Sequence, residues 1–268
     1  MKKRFSWLTL VLIFGLFFLY FPIAVLVIYS FNASPLVNIW GGWSLSWYQT
    51  LFQDSDVLNA AWLSIRIAVT ASTAAVVLGT LSAVVIKRYG YFKTKSFFYG
   101  MTVTPLVMPD VVTGLSLLLM FVGLENLVGW PGTHGFNTIL MAHITFCTAY
   151  AAIVIQARLG NLDRSIEEAA LDLGARPTKA FFWITLPQII PSLVAAWLLS
   201  FTLSIDDLVI TSFVSGPGST TLPMYIYSSV RAGVTPEINA LATIMIFIVG
   251  FIVVAGLFIS QRWKAHKP

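Results

Sequence analysis

Between Arg4 and Asp54 the chain carries no charged residue, and within that interval Trp7 to Phe31 is predominantly apolar. That stretch is long enough to cross a hydrocarbon core, which takes roughly 20 residues of helix. It exceeds the roughly 7–15 apolar residues of a signal-peptide core and no A-x-A-like site ends it, so it is expected to stay as an anchor. Five further apolar blocks follow at about 59–86, 97–121, 137–157, 188–214 and 239–261. Charged residues make up 10% of the 268 positions, well below the roughly 25% of soluble domains. Lipid is therefore the main solvent.

Every backbone amide in a bilayer core must be bonded internally, and the blocks lack the alternating pattern of barrel strands, so each is expected to be an α-helix. The fold class is all-α: a polytopic membrane protein with six transmembrane helices forming one domain over 1–268. Orientation follows from the basic residues. The N-terminus, the 87–96 loop, the 158–187 loop and the tail hold fourteen of the sixteen Lys and Arg. The alternate loops, 32–58, 122–136 and 215–238, hold only Arg231, and Arg66 lies inside the second block. By the positive-inside rule both ends are expected in the cytoplasm. The net charge of +5 thus reports topology and does not build a nucleic-acid patch.

Small residues recur through the second block (Ala68, Ala71, Ser72, Ala75, Gly79, Ser82, Ala83), as in a helix approached closely by its neighbours. Trp40, Trp43, Trp47 and Trp130 lie in or near the outward loops and read as interfacial anchors. Arg66, near the outer end of its span, reads as a residue that snorkels or pairs with an acid.

The 158–187 loop is the longest inward one. Ser165-Ile166-Glu167-Glu168 has the spacing of a capping box, which starts a helix. Gly174 supplies a left-handed stop, and Pro177 suits the first turn of a second helix leading to Leu186-Pro187. Glu168-Ala169-Ala170, followed at fixed spacing by Gly174 and by Ile184-Thr185-Leu186-Pro187, resembles the EAA motif of permease subunits in bacterial ATP-binding-cassette importers.

The likeness reaches most of the chain. Phe31-Asn32, Thr104 to Asp110, His143 to Cys147, Ser200 to Asp207, Ser215 to Gly218 and Pro236 to Thr243 are similar to the polyamine importer permeases. Ser165 to Glu168 and Thr220-Thr221-Leu222-Pro223 are most similar to those of the putrescine type. The resemblance implies a type I importer permease fold with its core at about 59–261, in the bacterial inner membrane. It implies a loop, through Glu167, Glu168, Ala169, Ala170, Gly174, Leu186 and Pro187, that couples to a cytoplasmic ATPase. It also implies a second permease subunit, two ATPase copies and a periplasmic polyamine-binding protein. No phosphate-binding G-x-x-x-x-G-K-[ST] loop occurs, so the chain is expected to be no enzyme, with ATP and magnesium bound by the partner.

Asp110, Asp206 and Asp207 fall inside apolar blocks, where an acid costs about 2.5–3.5 kcal/mol at a helix centre and so should face protein or water. At 1.5 Å per residue, Asp110 lies ~20 Å beyond Phe97 and Asp206 ~22 Å beyond Pro191, all in the outer half. They are the candidate substrate path for a dehydrated diammonium ion. The plainer alternative makes Asp110 a cap on a helix restarted after Pro109, and Asp206 or Asp207 a pairing group. Adjacent residues point about 100° apart, so Asp206 and Asp207 are expected to differ in role.

Leu222, Tyr225, Ile226 and Val230 recur at helical spacing in the outer 215–239 loop, which predicts a short helix on the rim. Tyr225, Ser228 and Ser229 are candidate binding-protein contacts, with simple packing the alternative. His134, His143, His266 and the lone Cys147 share no metal-ligand spacing, so no metal site is expected. Spermidine or another small solute is the alternative substrate. An ion-coupled secondary transporter would account for the acids but leave the EAA-like loop idle. An assembly protein without a path would use the acids only for pairing.

Overall fold

The computed structural model describes residues 7–36, 39–233 and 235–265, and among them six helices are long and apolar enough to cross a membrane. In chain order the helices are α1 (Trp7–Tyr29), α2 (Ser46–Gln53), α3 (Ser55–Arg88), α4 (Lys95–Val107), α5 (Asp110–Val128), α6 (Phe136–Gly160), α7 (Ser165–Asp172) and α8 (Pro177–Ala180). A π-helical turn at Phe181–Thr185 joins α8 to α9 (Leu186–Ile205), and α10 (Val209–Val214), α11 (Leu222–Ala232) and α12 (Pro236–Ala265) complete the chain. His266 lies outside the described residues.

Two of the expected spans are broken. The 97–121 block is not one helix: α4 stops at Val107, Met108 is extended at φ −78° and ψ 137°, and α5 restarts at Asp110. Pro109 is the cause, because its ring disfavours helical geometry at the preceding residue and it has no amide proton. The spanning helix here is α5, reaching Val128. The 188–214 block likewise divides, with α9 ending at Ile205 and α10 starting at Val209. Its spanning helix begins at Pro177, so the second half of the 158–187 loop belongs to the span.

The chain divides into two compact units. The first comprises Met1–Asn59 and Tyr225–Gly250. None of the residues of α1 is buried. The turn after α1 is organised by Asn32, which is 1% exposed. Its Nδ2 donates to Ile39 O at 2.7 Å, its Oδ1 accepts from Gly41 N at 2.7 Å, and its carbonyl accepts from Trp47 Nε1 at 2.7 Å. One buried residue thus satisfies, by side chain and carbonyl, groups that the turn's backbone bonds, from Ala33 N to Gly42 O and from Ser44 N to Phe31 O, leave open.

The second unit, Ala60–Met224 with Phe251–Pro268, holds the larger core. Ala68, Ala71, Ser72, Ala75 and Ala83 of α3 are fully buried. A Cβ on Gly79 would stand 2.9 Å from both Ala151 Cβ and Ala152 N of α6, so only glycine admits that approach. On α5, Gly114 plays the same part: a Cβ there would lie 3.3 Å from Ile210 Cα of α10. Ala83, Ala151, Ile155, Leu159, Ile189 and Ala196 close one cluster between α3, α6 and α9. Arg66 is exposed, with no ion pair to an acid among the described residues, and its guanidinium lies 4.5 Å above the Phe136 ring, a cation–π contact.

Candidate functional site

The helix–turn–helix after α6 is held by local geometry. The expected capping box does not form, because Ser165 is already inside α7 and its amide donates to Asp163 Oδ1 at 2.9 Å. Glu168 N donates to Arg164 O at 2.9 Å. The N-cap is Arg164, without a side-chain cap, and the Asp163 carboxylate just before it suits the positive end of the helix. Hydrogen bonds from Ser165 hold the exposed Asp163 carboxyl below its ordinary range. The other end of α7 forms a full Schellman motif: Ala175 N donates to Ala170 O at 3.0 Å, Gly174 N donates to Leu171 O at 2.9 Å, and Gly174 sits at φ +85°. Pro177 then opens α8, as its missing amide proton permits.

Glu168 and Ala169 are exposed, and Ala170 is half-buried. Glu167 is one of the residues that tie the loop to the bundle. Its Oε2 lies 3.1 Å from the Arg88 guanidinium at the end of α3 and accepts from Thr185 Oγ1 at 3.2 Å. Arg164 also donates to Lys87 O. Leu186 packs against the cluster around Ile189, and Pro187 is half-buried beside it. Between α7 and the π-helical turn lies an open groove of about 710 Å³ with Leu173, Arg176, Lys179 and Trp183 on its walls. Leu173 is 89% and Trp183 77% exposed. Large apolar side chains therefore stand exposed beside basic ones where the loop meets α9, the kind of patch that marks interaction sites on proteins in general.

The three acids of the apolar blocks sit at the two breaks. Asp110 is the first residue of α5 and exposed. Asp206 caps the end of α9 and is also exposed. Asp207 differs from both. Its carboxylate accepts from Thr211 N at 2.8 Å, Thr211 Oγ1 at 2.6 Å and Ile210 N at 3.3 Å, so it caps α10. His143 Nε2 stands 3.4 Å from the same carboxylate. Sequence reasoning places His143 in the fourth span and gives it no role, and no local spacing marks it, since its partners Ser204, Asp207 and Thr211 lie more than sixty residues away in the chain.

On α11, Tyr225 donates to Asp54 Oδ2 at 3.2 Å, and burial together with the Asp54 carboxylate raises its phenol pKa. Ser228 is exposed and donates to Tyr225 O at 2.8 Å, while Ser229 is half-buried. The predicted helix is present, but Val230 is 45% exposed and stands off its apolar side. Among the described residues no three His, Cys, Asp or Glu side chains converge in a metal-holding group.

Six helices long and apolar enough to cross a membrane, a loop closed by a Schellman turn beside an open groove, and acids at two helix breaks are the features of a membrane-embedded protein. The family described as binding-protein-dependent transport system inner membrane component matches residues 75–265, and the chain belongs to it. It is a multi-pass inner-membrane permease of the ATP-binding-cassette importer class. It is 56% identical over 264 residues to the putrescine transport system permease protein PotI of Escherichia coli (strain K12), covering 98% of this chain and 94% of that one. It is 42% identical over 247 residues to the spermidine/putrescine transport system permease protein PotC of Haemophilus influenzae, covering 91% and 93%. A bacterial alginate ABC transporter, solved in complex with its alginate pentasaccharide-bound periplasmic protein, shares the fold at TM-score 0.76 and 18% identity, over 95% of this chain and 92% of that one.

Proposed function

We propose that this chain is one of two permease subunits in an ATP-driven importer of putrescine, forming half of the translocation path. The observation that carries the reading is its 56% identity, over 98% of its length, to a putrescine permease, against 42% for a spermidine/putrescine one. Both chain ends lie in the cytoplasm, as the basic loops require. The chain works as a single permease domain over 1–268. ATP and magnesium bind two cytoplasmic ATPase subunits. Closure of those subunits acts on the loop that includes Glu167, Glu168, Ala169, Ala170, Gly174, Leu186 and Pro187.

A periplasmic polyamine-binding protein delivers substrate near α11, where Tyr225, Ser228 and Ser229 supply contacts. Putrescine carries an ammonium group at each end, and at least one of the candidates Asp110, Asp206 and Asp207 places negative charge where those groups lose water. Cells lacking all polyamine uptake, supplied with this subunit and its companion genes, are expected to accumulate labelled putrescine, with excess unlabelled putrescine competing better than spermidine. Equal competition by spermidine would overturn the putrescine assignment, and failure to accumulate either would overturn polyamine transport.

A further inference from the structure

His143 is a buried ionisable side chain that the transport reading leaves unused. It is 1% exposed, and its ring lies between the last turn of α9 and the first turn of α10. Nδ1 is 2.6 Å from Ser204 Oγ, and Nε2 is 2.9 Å from Thr211 Oγ1 and 3.4 Å from Asp207 Oδ2. Ser204 precedes the break and Thr211 follows it. A single rigid ring, carried on a third helix, therefore spans the place where α9 stops and α10 restarts. Backbone released from a helix in hydrocarbon must find partners, and Asp207 provides them for α10 while His143 holds Asp207 and both flanks.

The carboxylate of Asp207 is fully engaged in this work. Asp206, its neighbour in the chain, is exposed. The break cannot relax freely on its far side, because Ile210 lies against Gly114 of α5. Asp206 and Asp110 each lie four residues before that contact.

We infer that His143 is a positioning residue for transport: it clamps the α9–α10 break so that Asp206, and not Asp207, is presented to the cationic substrate. The inference rests on the reading that an intramembrane acid meets the cation. The test uses the complete importer with Cys147→Ala, Asp206→Cys as the reporter and Gln53→Cys as an exposed control, labelled with a small cationic thiol reagent. The reporter thiol at position 206 is expected to react and to be shielded by putrescine. His143→Leu, which keeps bulk but loses both ring nitrogens, is expected to slow that reaction at least severalfold without changing the control thiol at position 53. His143→Gln, which still reaches one hydroxyl, restores part of the rate. Should His143→Leu fail to assemble, Ser204→Ala and Thr211→Val remove one arm each and are read in the same way. Unchanged reactivity of the reporter thiol in these variants overturns the role of His143. Separately, Asp206→Asn in the native background is expected to lower the maximal putrescine uptake rate with ATPase recovery intact. Normal uptake by Asp206→Asn overturns the presentation of Asp206 to substrate and leaves the clamp to be judged by the labelling.

Discussion

Gly174 stands at φ +85° with nothing within 4 Å of where a Cβ would be, so a substitution there meets no clash and is opposed by backbone conformation alone. That penalty is roughly 1–2 kcal/mol, enough to move a short helix that must fit a partner's surface. Gly174→Val is expected to give a normally inserted subunit whose complex either loses the ATPase or hydrolyses ATP without moving substrate. Pull-down stoichiometry and uptake check this together, and a variant unchanged in both contradicts the coupling role.

Glu167 supplies a second test at this scale. The Glu167–Arg88 pair is largely shielded, at 24% and 12% side-chain exposure, and a hydrogen bond to a charged group contributes on the order of 1.5–3 kcal/mol. Glu167→Arg and Arg88→Glu alone should each cut coupled uptake severalfold, and the double swap should recover most of it. A swap no better than the single variants would remove the pair as the link. The left-handed turn was legible because glycine between a helix and a proline has one common use. The Glu167–Arg88 pair was not, since its members lie on separate helices far apart in the chain and local spacing carries no trace of it.

At the scale of elements, the six apolar blocks were readable because the bilayer demands long stretches without charge. Their interruptions were not fully readable, since hydropathy averages over them. Pro109 announced a kink and produced a full break. The second break, at Asp206 to Leu208, has no proline or glycine and depends on Asp207 capping α10 and on His143 from another helix. Packing between elements is testable through glycine. Gly79→Ala places a Cβ 2.9 Å from the α6 backbone, whereas Gly123→Ala on α5 meets nothing within 4 Å. Overpacking costs about 1–3 kcal/mol, so Gly79→Ala should lower the thermal midpoint of the detergent-solubilised complex by several degrees and Gly123→Ala should leave it near the parent. Equal midpoints would contradict a close α3–α6 approach.

At the scale of the whole molecule, α1 has no buried residue, and the loop around α7 leaves Leu173 and Trp183 exposed. On the proposed reading such a chain is completed by lipid and by other subunits, in keeping with a family named for transport that depends on a binding protein. Family membership was legible in the EAA-like spacing. The reason Asp206 and Asp207 differ was not, because it lies in three helices brought together by folding. The most direct measurement is putrescine uptake by the purified complex in vesicles, with loaded binding protein outside and ATP within. Uptake is predicted to require ATP, the binding protein and an ATPase subunit competent for hydrolysis, and to vanish when any one is withheld. Uptake by this chain alone, driven by an ion gradient without ATP, would contradict it.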